Sequence, residues 1–255
     1  MKTSNRIRFV VGMMLWLVLA QGEVRSATLR VFAAASLTDC LKEIASRYER
    51  QTGDKVVLNF GSSGLLARQI REGAPADVFF SADEAQMESL RQAGMVLAAT
   101  HTNLLSNSLV IVVAREGGEE ISGAEDLLKV AIKRIALADT RTVPAGIYVR
   151  QYLERKKLWS AIERKVVPME NVRAALAAVE SGNVEAGMVY KTDALNSKKV
   201  KTVYEVPAGE GPRIRYPVAV MKESKAMESA TRFVQLLASL EGVTSFRKFG
   251  FIVAE

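Results

Sequence analysis

LRVFAAASLTDCLKEIASRYERQTGDKVVLNFGSSG, residues 29–64, contains the repeating unit of the fold. The apolar run over 29–35 fits a buried strand. Leu37, Leu41, Ile44, Ala45 and Tyr48 then recur at helical spacing, which predicts a helix to about residue 50. Gly53 stops that helix, and a second apolar run begins at Lys55. Strand, helix and strand in quick succession make a parallel βαβ unit.

The same alternation continues outward. A helix over 65–71, a strand over 77–81, a helix over 84–92 closed by Gly94 and a buried strand over 109–114 follow. The polar stretch 115–123 then suggests passage into another unit. There a helix at 125–129, a strand at 134–138, a helix at 145–158, a strand at 165–168, a helix at 172–181 and a strand at 185–190 repeat the series. A strand over 200–206, a glycine- and proline-containing loop over 207–212, a strand over 216–221 and helices over 224–240 and 242–249 complete the chain. The expected class is α/β with two similar lobes. The last two helices, with no strand predicted after them, are expected to pack back on the first lobe. This assigns 27–114 and 216–255 to lobe one and 115–215 to lobe two. A chain that crosses twice between lobes forms a hinge suited to closing on a ligand.

Residues 1–26 read as a secretory leader. Lys2, Arg6 and Arg8 precede a 12-residue apolar run over 9–20, shorter than the roughly 20 residues needed to span a membrane. Cleavage after Gly22 or after Ser26 fits equally well. No cysteine adjoins either site, so no lipid anchor is expected. The full chain carries a formal charge of +7; removing the four basic side chains and one acid of the leader leaves +4. An exported chain with that mild excess, and without a basic run or an aromatic-basic ladder, gives no sign of nucleic-acid binding. Modest steering of a small anion is the functional use such a charge allows.

Scarcity limits the chemistry. One histidine, His101, and one cysteine, Cys40, cannot by themselves supply a Cys/His metal site or an internal disulfide, and leave a Cys/His dyad only the pairing of these two. Cys40 falls inside the first helix, where a small buried thiol is the expected role.

The informative positions are the strand-to-helix junctions, because open α/β sheets bind ligands beyond the carboxyl ends of their strands, where helix N-termini offer free N–H groups. In lobe one these are Ala33-Ala34-Ala35-Ser36, with Ser36 at the expected helix N-cap, and Gly61-Ser62-Ser63-Gly64. Serine also caps helices without any ligand. In lobe two they are Val143-Pro144-Ala145-Gly146, with proline in the first helical turn, Asn171-Val172-Arg173, and Tyr190 at a strand end. Hydroxyls and backbone amides, with no carboxylate or metal ligand among them, suit a tetrahedral oxyanion.

Those residues also carry a family resemblance. VFAAASLTD (31–39), LARQIREGAPADVFFSAD (66–83), NSLVIVV (107–113), VPAGIY (143–148), NVRAALAAVESG (171–182), GMVYKTDA (187–194), YPVAV (216–220) and FRKFGF (246–251) resemble, in order, the periplasmic molybdate-binding proteins of ABC transporters, the ModA family. The resemblance implies a type II periplasmic-binding-protein fold with molybdate or tungstate in the cleft. It also implies no cofactor, no catalysis, a monomer, and a membrane permease as partner. Carried over by motif, the ligand residues are Ser36, Ser63, Ala145, Val172 and Tyr190. Gly61 and Gly64 depart from a loop that is usually serine-rich, which leaves Ser62 open as sharing the role of Ser63; Lys191 stands where a small residue is common.

Donors alone suit the fully deprotonated molybdate and sulfate and disfavour phosphate, which keeps a proton at neutral pH. Separating molybdate from sulfate needs a cavity size that sequence does not give. Two other readings compete. A secreted hydrolase using Ser62 or Ser63 would need His101 as base and lacks the G-x-S-x-G elbow. A protein for sulfate, thiosulfate or a small carboxylate could pair its anion with Arg68, Arg150 or Arg173.

Overall fold

A computed structural model describes residues 26–253. The leader reading, apart from Ser26, lies outside them. Two mixed sheets are present, each covered by helices.

In the first sheet, β1 (Thr28–Ala34) lies between β2 (Lys55–Gly61) and β3 (Val78–Phe80), all parallel, as the βαβ reading requires. The connecting helices are α1 (Thr38–Thr52), α2 (Ser63–Arg71) and, after β3, α3 (Glu84–Gln92). α1 buries Cys40, Leu41, Ile44, Ala45 and Tyr48 and ends where Gly53 takes φ +76°, a left-handed cap that costs glycine little. In the second sheet β6 (Ile135–Ala138) lies between β7 (Val166–Met169) and β8 (Ala186–Tyr190), again parallel. Here α4 (Pro144–Arg155), the short α5 (Trp159–Ile162) and α6 (Val172–Glu180) connect the strands, and α7 (Lys191–Leu195) follows β8. β6 and β8 are buried along their whole length, which is why they read as unbroken apolar runs. The edge strand β7 tolerates Pro168.

Each sheet is extended by an antiparallel strand delivered by a crossing segment. β5 (Leu109–Ala114) pairs with β8 and with β9 (Val200–Glu205), and β10 (Tyr216–Val220) pairs with β3 and with β4 (Thr102–Ser106). This corrects the expected lobe boundary. Leu109–Ala114 belongs to the second sheet, so the chain leaves the first sheet at Asn107 and Ser108 rather than after Ala114. A fully apolar strand is equally at home in either sheet, and only pairing decides.

Three further differences are local. β4 was not expected, because its polar start hides the Leu104–Leu105 pair that it buries. The helix expected over 224–240 is α8 (Met227–Ala238), interrupted at Ser239, whose hydroxyl accepts from Gly242 N–H at 3.3 Å and caps α9 (Leu240–Lys248). α9 is followed by a two-residue strand, β11 (Ile252–Val253), paired to β4, so the final helices do have a strand after them. Phe246 of α9 packs edge-on against Phe80 at 5.9 Å, on the first sheet. Among the described residues no helix is long and apolar enough to cross a membrane.

Candidate functional site

The carboxyl ends of the parallel strands of both sheets face each other. β1 runs into a 3-10 turn, Ala35–Leu37, that holds Ser36; β2 ends at Gly61, one residue before the cap of α2. From the other side come the starts of α4 and α6 and the end of β8. Ser36, Ser63, Ala145, Val172 and Tyr190 all line one small cavity. No charged side chain lines it.

The serines divide by role. Ser62 is the α2 cap: its hydroxyl accepts from Leu65 N–H at 3.4 Å. Ser63 is the first residue of α2, and its Oγ accepts from Ala82 N–H at 2.9 Å, outside the helix. Ser36 is not an N-cap, contrary to expectation. The 3-10 turn displaces the cap position to Leu37, and Ser36 Oγ lies 3.0 Å from the Tyr216 hydroxyl. Neither Ser36 nor Ser63 is spent on capping, and both are buried against the cavity.

The second lobe contributes mostly backbone. Pro144 has no N–H, so Ala145 is the first donor of α4, and Val172 is the first of α6; first-turn amides have no intrahelical acceptor. Asn171 caps α6 by accepting from Ala174 N–H at 3.0 Å, which leaves the Val172 amide to the cavity side. Gly146 lets α4 sit this close: a Cβ there would stand 2.1 Å from the Ala138 carbonyl oxygen. The Tyr190 hydroxyl is buried without a protein partner, and burial raises its titration well above the ordinary phenol range, so its proton stays on to be donated. With both helix termini adding partial positive charge, this cavity can hold a small dianion through neutral donors.

Charged groups stand outside it. Arg173 of α6 reaches back from the cavity to the carboxylate of Asp39 on α1, linking the two lobes. Its Nε lies 3.1 Å from Asp193 Oδ1 on α7, an ion-pair contact without hydrogen-bond alignment. Asp193 is fully buried, and its titration is raised to about 7 by burial, with Arg173 opposing the shift. Arg150 pairs with Glu154 at 2.7 Å and lies over the Trp159 ring, while Arg68 faces Glu72 at 3.9 Å. None of the three arginines lines the cavity, so none of them is placed to pair with an anion there. His101 does not line it either, so Ser62 and Ser63 have no imidazole in the cavity to act as base. Cys40 is buried, and desolvation pushes its thiol far up.

A larger cavity, about 280 Å³, lies along the crossing segments, but its charged lining pair, Lys191 and Glu205, is mutually satisfied at 2.8 Å. Three features of the site were not anticipated. Asn107 and Tyr216 hydrogen-bond behind Ser36, Arg173 bridges the lobes, and Gly64 abuts Thr142 of the opposite lobe. All three depend on contacts between residues distant in sequence.

Comparison with known proteins shows the family and the fold. A family described as bacterial extracellular solute-binding protein matches residues 29–252. The molybdate-binding protein ModA of Escherichia coli is 37% identical over 229 residues, covering 88% of each chain. That of Haemophilus influenzae is 36% identical over 201 residues, covering 77% of this chain and 79% of its own. Among solved structures, the periplasmic molybdate-binding protein of Azotobacter vinelandii superposes with a TM-score of 0.81 at 24% identity, covering 89% of this chain and all of its own, which is a likeness of fold.

Proposed function

The chain belongs to the bacterial extracellular solute-binding protein family, and from that membership we propose that it captures molybdate outside the cytoplasm and delivers it to the membrane permease of an ABC transporter. It is a binding protein and not an enzyme. The observation that carries the proposal is the convergence of Ser36, Ser63, Ala145, Val172 and Tyr190 on one uncharged cavity between the two sheets. Neutral donors alone match an anion that carries two charges and no proton, and relatives named for molybdate support that anion.

The ligand residues in this proposal are those five, with Ser62 as a helix cap. Tungstate, nearly the same size, binds comparably, and the chain acts as an exported monomer whose leader is removed. By sheet pairing, lobe two runs from about 108 to 206 and lobe one comprises the described remainder. The lobes hinge at the two crossings and close on the anion, since donors split between them bind fully only when they meet.

Calorimetric titration with molybdate, tungstate, sulfate and phosphate tests this. Tight binding of the first two and weak binding of the others is expected, with a smaller radius of gyration by scattering at saturation. Preference for sulfate over molybdate would overturn the assignment.

Individual donors are separable. A neutral donor to a charged acceptor is worth about 1.5–3 kcal/mol, so Ser36→Ala and Ser63→Ala should each weaken molybdate binding by roughly 10- to 150-fold. Tyr190→Phe should do the same while leaving the ligand-free protein as stable or more so, because it removes a buried hydroxyl that has no protein partner. Unchanged affinity in the tyrosine variant, read by the same titration, would detach lobe two from the ligand.

A further inference from the structure

Buried polar side chains continue behind Ser36, and the direction of their hydrogen bonds can be followed from a fixed point. Asn107 lies where the chain first leaves sheet one, and Tyr216 where it returns; both are buried. The fixed point is Ser108 N–H, which donates to Asn107 Oδ1 at 3.0 Å. A backbone amide only donates, so this contact identifies the oxygen of the Asn107 side chain, and Nδ2 must be the end facing the other partners. Nδ2 donates one proton to Thr192 Oγ1 at 2.9 Å and the other to the Tyr216 hydroxyl at 3.3 Å. A phenol has one proton. With its oxygen accepting from Asn107, the Tyr216 proton goes to Ser36 Oγ, 3.0 Å away. Ser36 is then an acceptor on its inner side, and its own proton is left for the cavity that it lines.

We propose that Asn107 and Tyr216 are positioning residues that lock Ser36 as a donor and thereby make the cavity select oxyanions without a proton over those that carry one. The proposal rests on the oxyanion reading above and adds to it the device that sets the polarity of the site. Burial raises the Tyr216 titration far above the ordinary phenol range, so the proton that the relay needs is always present. Ser63 is held in the same sense by a shorter route, since Ala82 N–H occupies its oxygen directly. Hydrogen phosphate would arrive with a proton of its own, and the inward-facing serine positions already present protons. Two protons meeting on one hydrogen-bond line lose the bond and leave a buried donor unpaired. Molybdate or sulfate meets no such conflict.

Reversing the relay is the direct test. Asn107→Asp keeps the shape and the oxygen that accepts from Ser108, but replaces the donating end with an acceptor. Tyr216 would then donate toward residue 107 and accept from Ser36, whose proton would turn away from the cavity. Molybdate affinity should fall by about 10- to 100-fold and phosphate affinity much less, so that the molybdate-to-phosphate ratio drops about tenfold or more. A fall shared equally by both anions would mean that the new carboxylate merely repels them, and would overturn the relay.

Tyr216→Phe is the second variant, useful if the aspartate prevents folding. It preserves the ring that packs edge-on against Phe251 at 5.6 Å and frees Ser36 to rotate. Here the ratio should drop severalfold, with a melting temperature close to the parent. An unchanged ratio in this variant also overturns the relay. The parent titration separates the two levels of inference. If the parent prefers sulfate to molybdate, the assigned ligand is wrong and the relay is read instead from the sulfate-to-phosphate ratio; if it binds none of the three, both fall together.

Discussion

Replacing Gly64 by alanine is expected to weaken oxyanion binding by on the order of 100-fold or more while leaving the ligand-free protein at least as stable as the parent. Gly64 is the second residue of α2 and adopts no unusual backbone conformation, so alanine fits the helix and raises its propensity by up to about 1 kcal/mol. The obstacle lies across the cleft. A Cβ on residue 64 would stand 2.6 Å from the Thr142 carbonyl oxygen of the opposite lobe. That oxygen cannot swing aside freely, because Asp139 Oδ1 accepts from Arg141 N–H at 3.0 Å, from Thr142 N–H at 3.0 Å and from the Thr142 hydroxyl at 2.9 Å.

Restoring an ordinary carbon-oxygen contact therefore requires the lobes to part locally by roughly 0.7 Å. A donor at about 2.9 Å moved back by that amount leaves the hydrogen-bond range. The donors of lobe two, Ala145 N–H, Val172 N–H and the Tyr190 hydroxyl, would be drawn from an anion seated on lobe one, and losing two charge-assisted bonds already accounts for about 100-fold. Calorimetry and a thermal melt without ligand give the two readouts. Affinity within about threefold of the parent would show that Gly64 does not limit closure.

Gly64 also shows where sequence reading reaches its limit. It stood out as a departure from a serine-rich loop, yet nothing local shows that its missing side chain makes room for Thr142. The junctions that hold the five cavity residues were legible because a strand-to-helix junction is a local pattern whose position relative to the sheet follows from topology, while the family resemblance singled out the five within them. The serines could not be separated into caps and ligand donors from sequence, since Ser62, Ser63 and Ser36 differ only in which N–H or O–H each oxygen meets. Asn107 and Tyr216 are 109 positions apart, and neither lies in a motif that marks it as polar machinery. β5 illustrates the same limit at the level of the fold: LVIVVA announces a buried strand, but its sheet is chosen by β8 and β9, about 80 to 90 residues downstream in the chain.

The remaining large effect concerns the buried charge behind the site. Arg173→Met should destabilise the protein by about 1–2.5 kcal/mol at pH 8, because Asp193, buried with no guanidinium beside it, must then stay protonated at a cost of about 1.4 kcal/mol per pH unit above 7. The loss should shrink as the pH falls. In the parent, burial already holds the Asp193 carboxyl at about 7 against an ordinary 3.8, with Arg173 pulling it down and the Asp39 charge pushing it up. A carboxyl raised in the folded state binds its proton more tightly there than in the unfolded chain. Its contribution to stability is therefore fully present below about pH 4 and is lost as the pH climbs through 7. Without Arg173 the folded value moves higher still, so the variant continues to lose stability above pH 7, where the parent levels off. At pH 5 both proteins carry a neutral Asp193, and the variant lacks only the partly exposed contact from Arg173 to Asp39, worth at most about 1 kcal/mol. Urea unfolding at pH 5 and pH 8 measures the difference. A second substitution, Asp193→Asn, should return most of the loss at pH 8, because a neutral amide does not need the arginine. Equal destabilisation at the two pH values, or no rescue by asparagine, would mean that Arg173 supports the fold through its packing against the lobes rather than through the charge of Asp193.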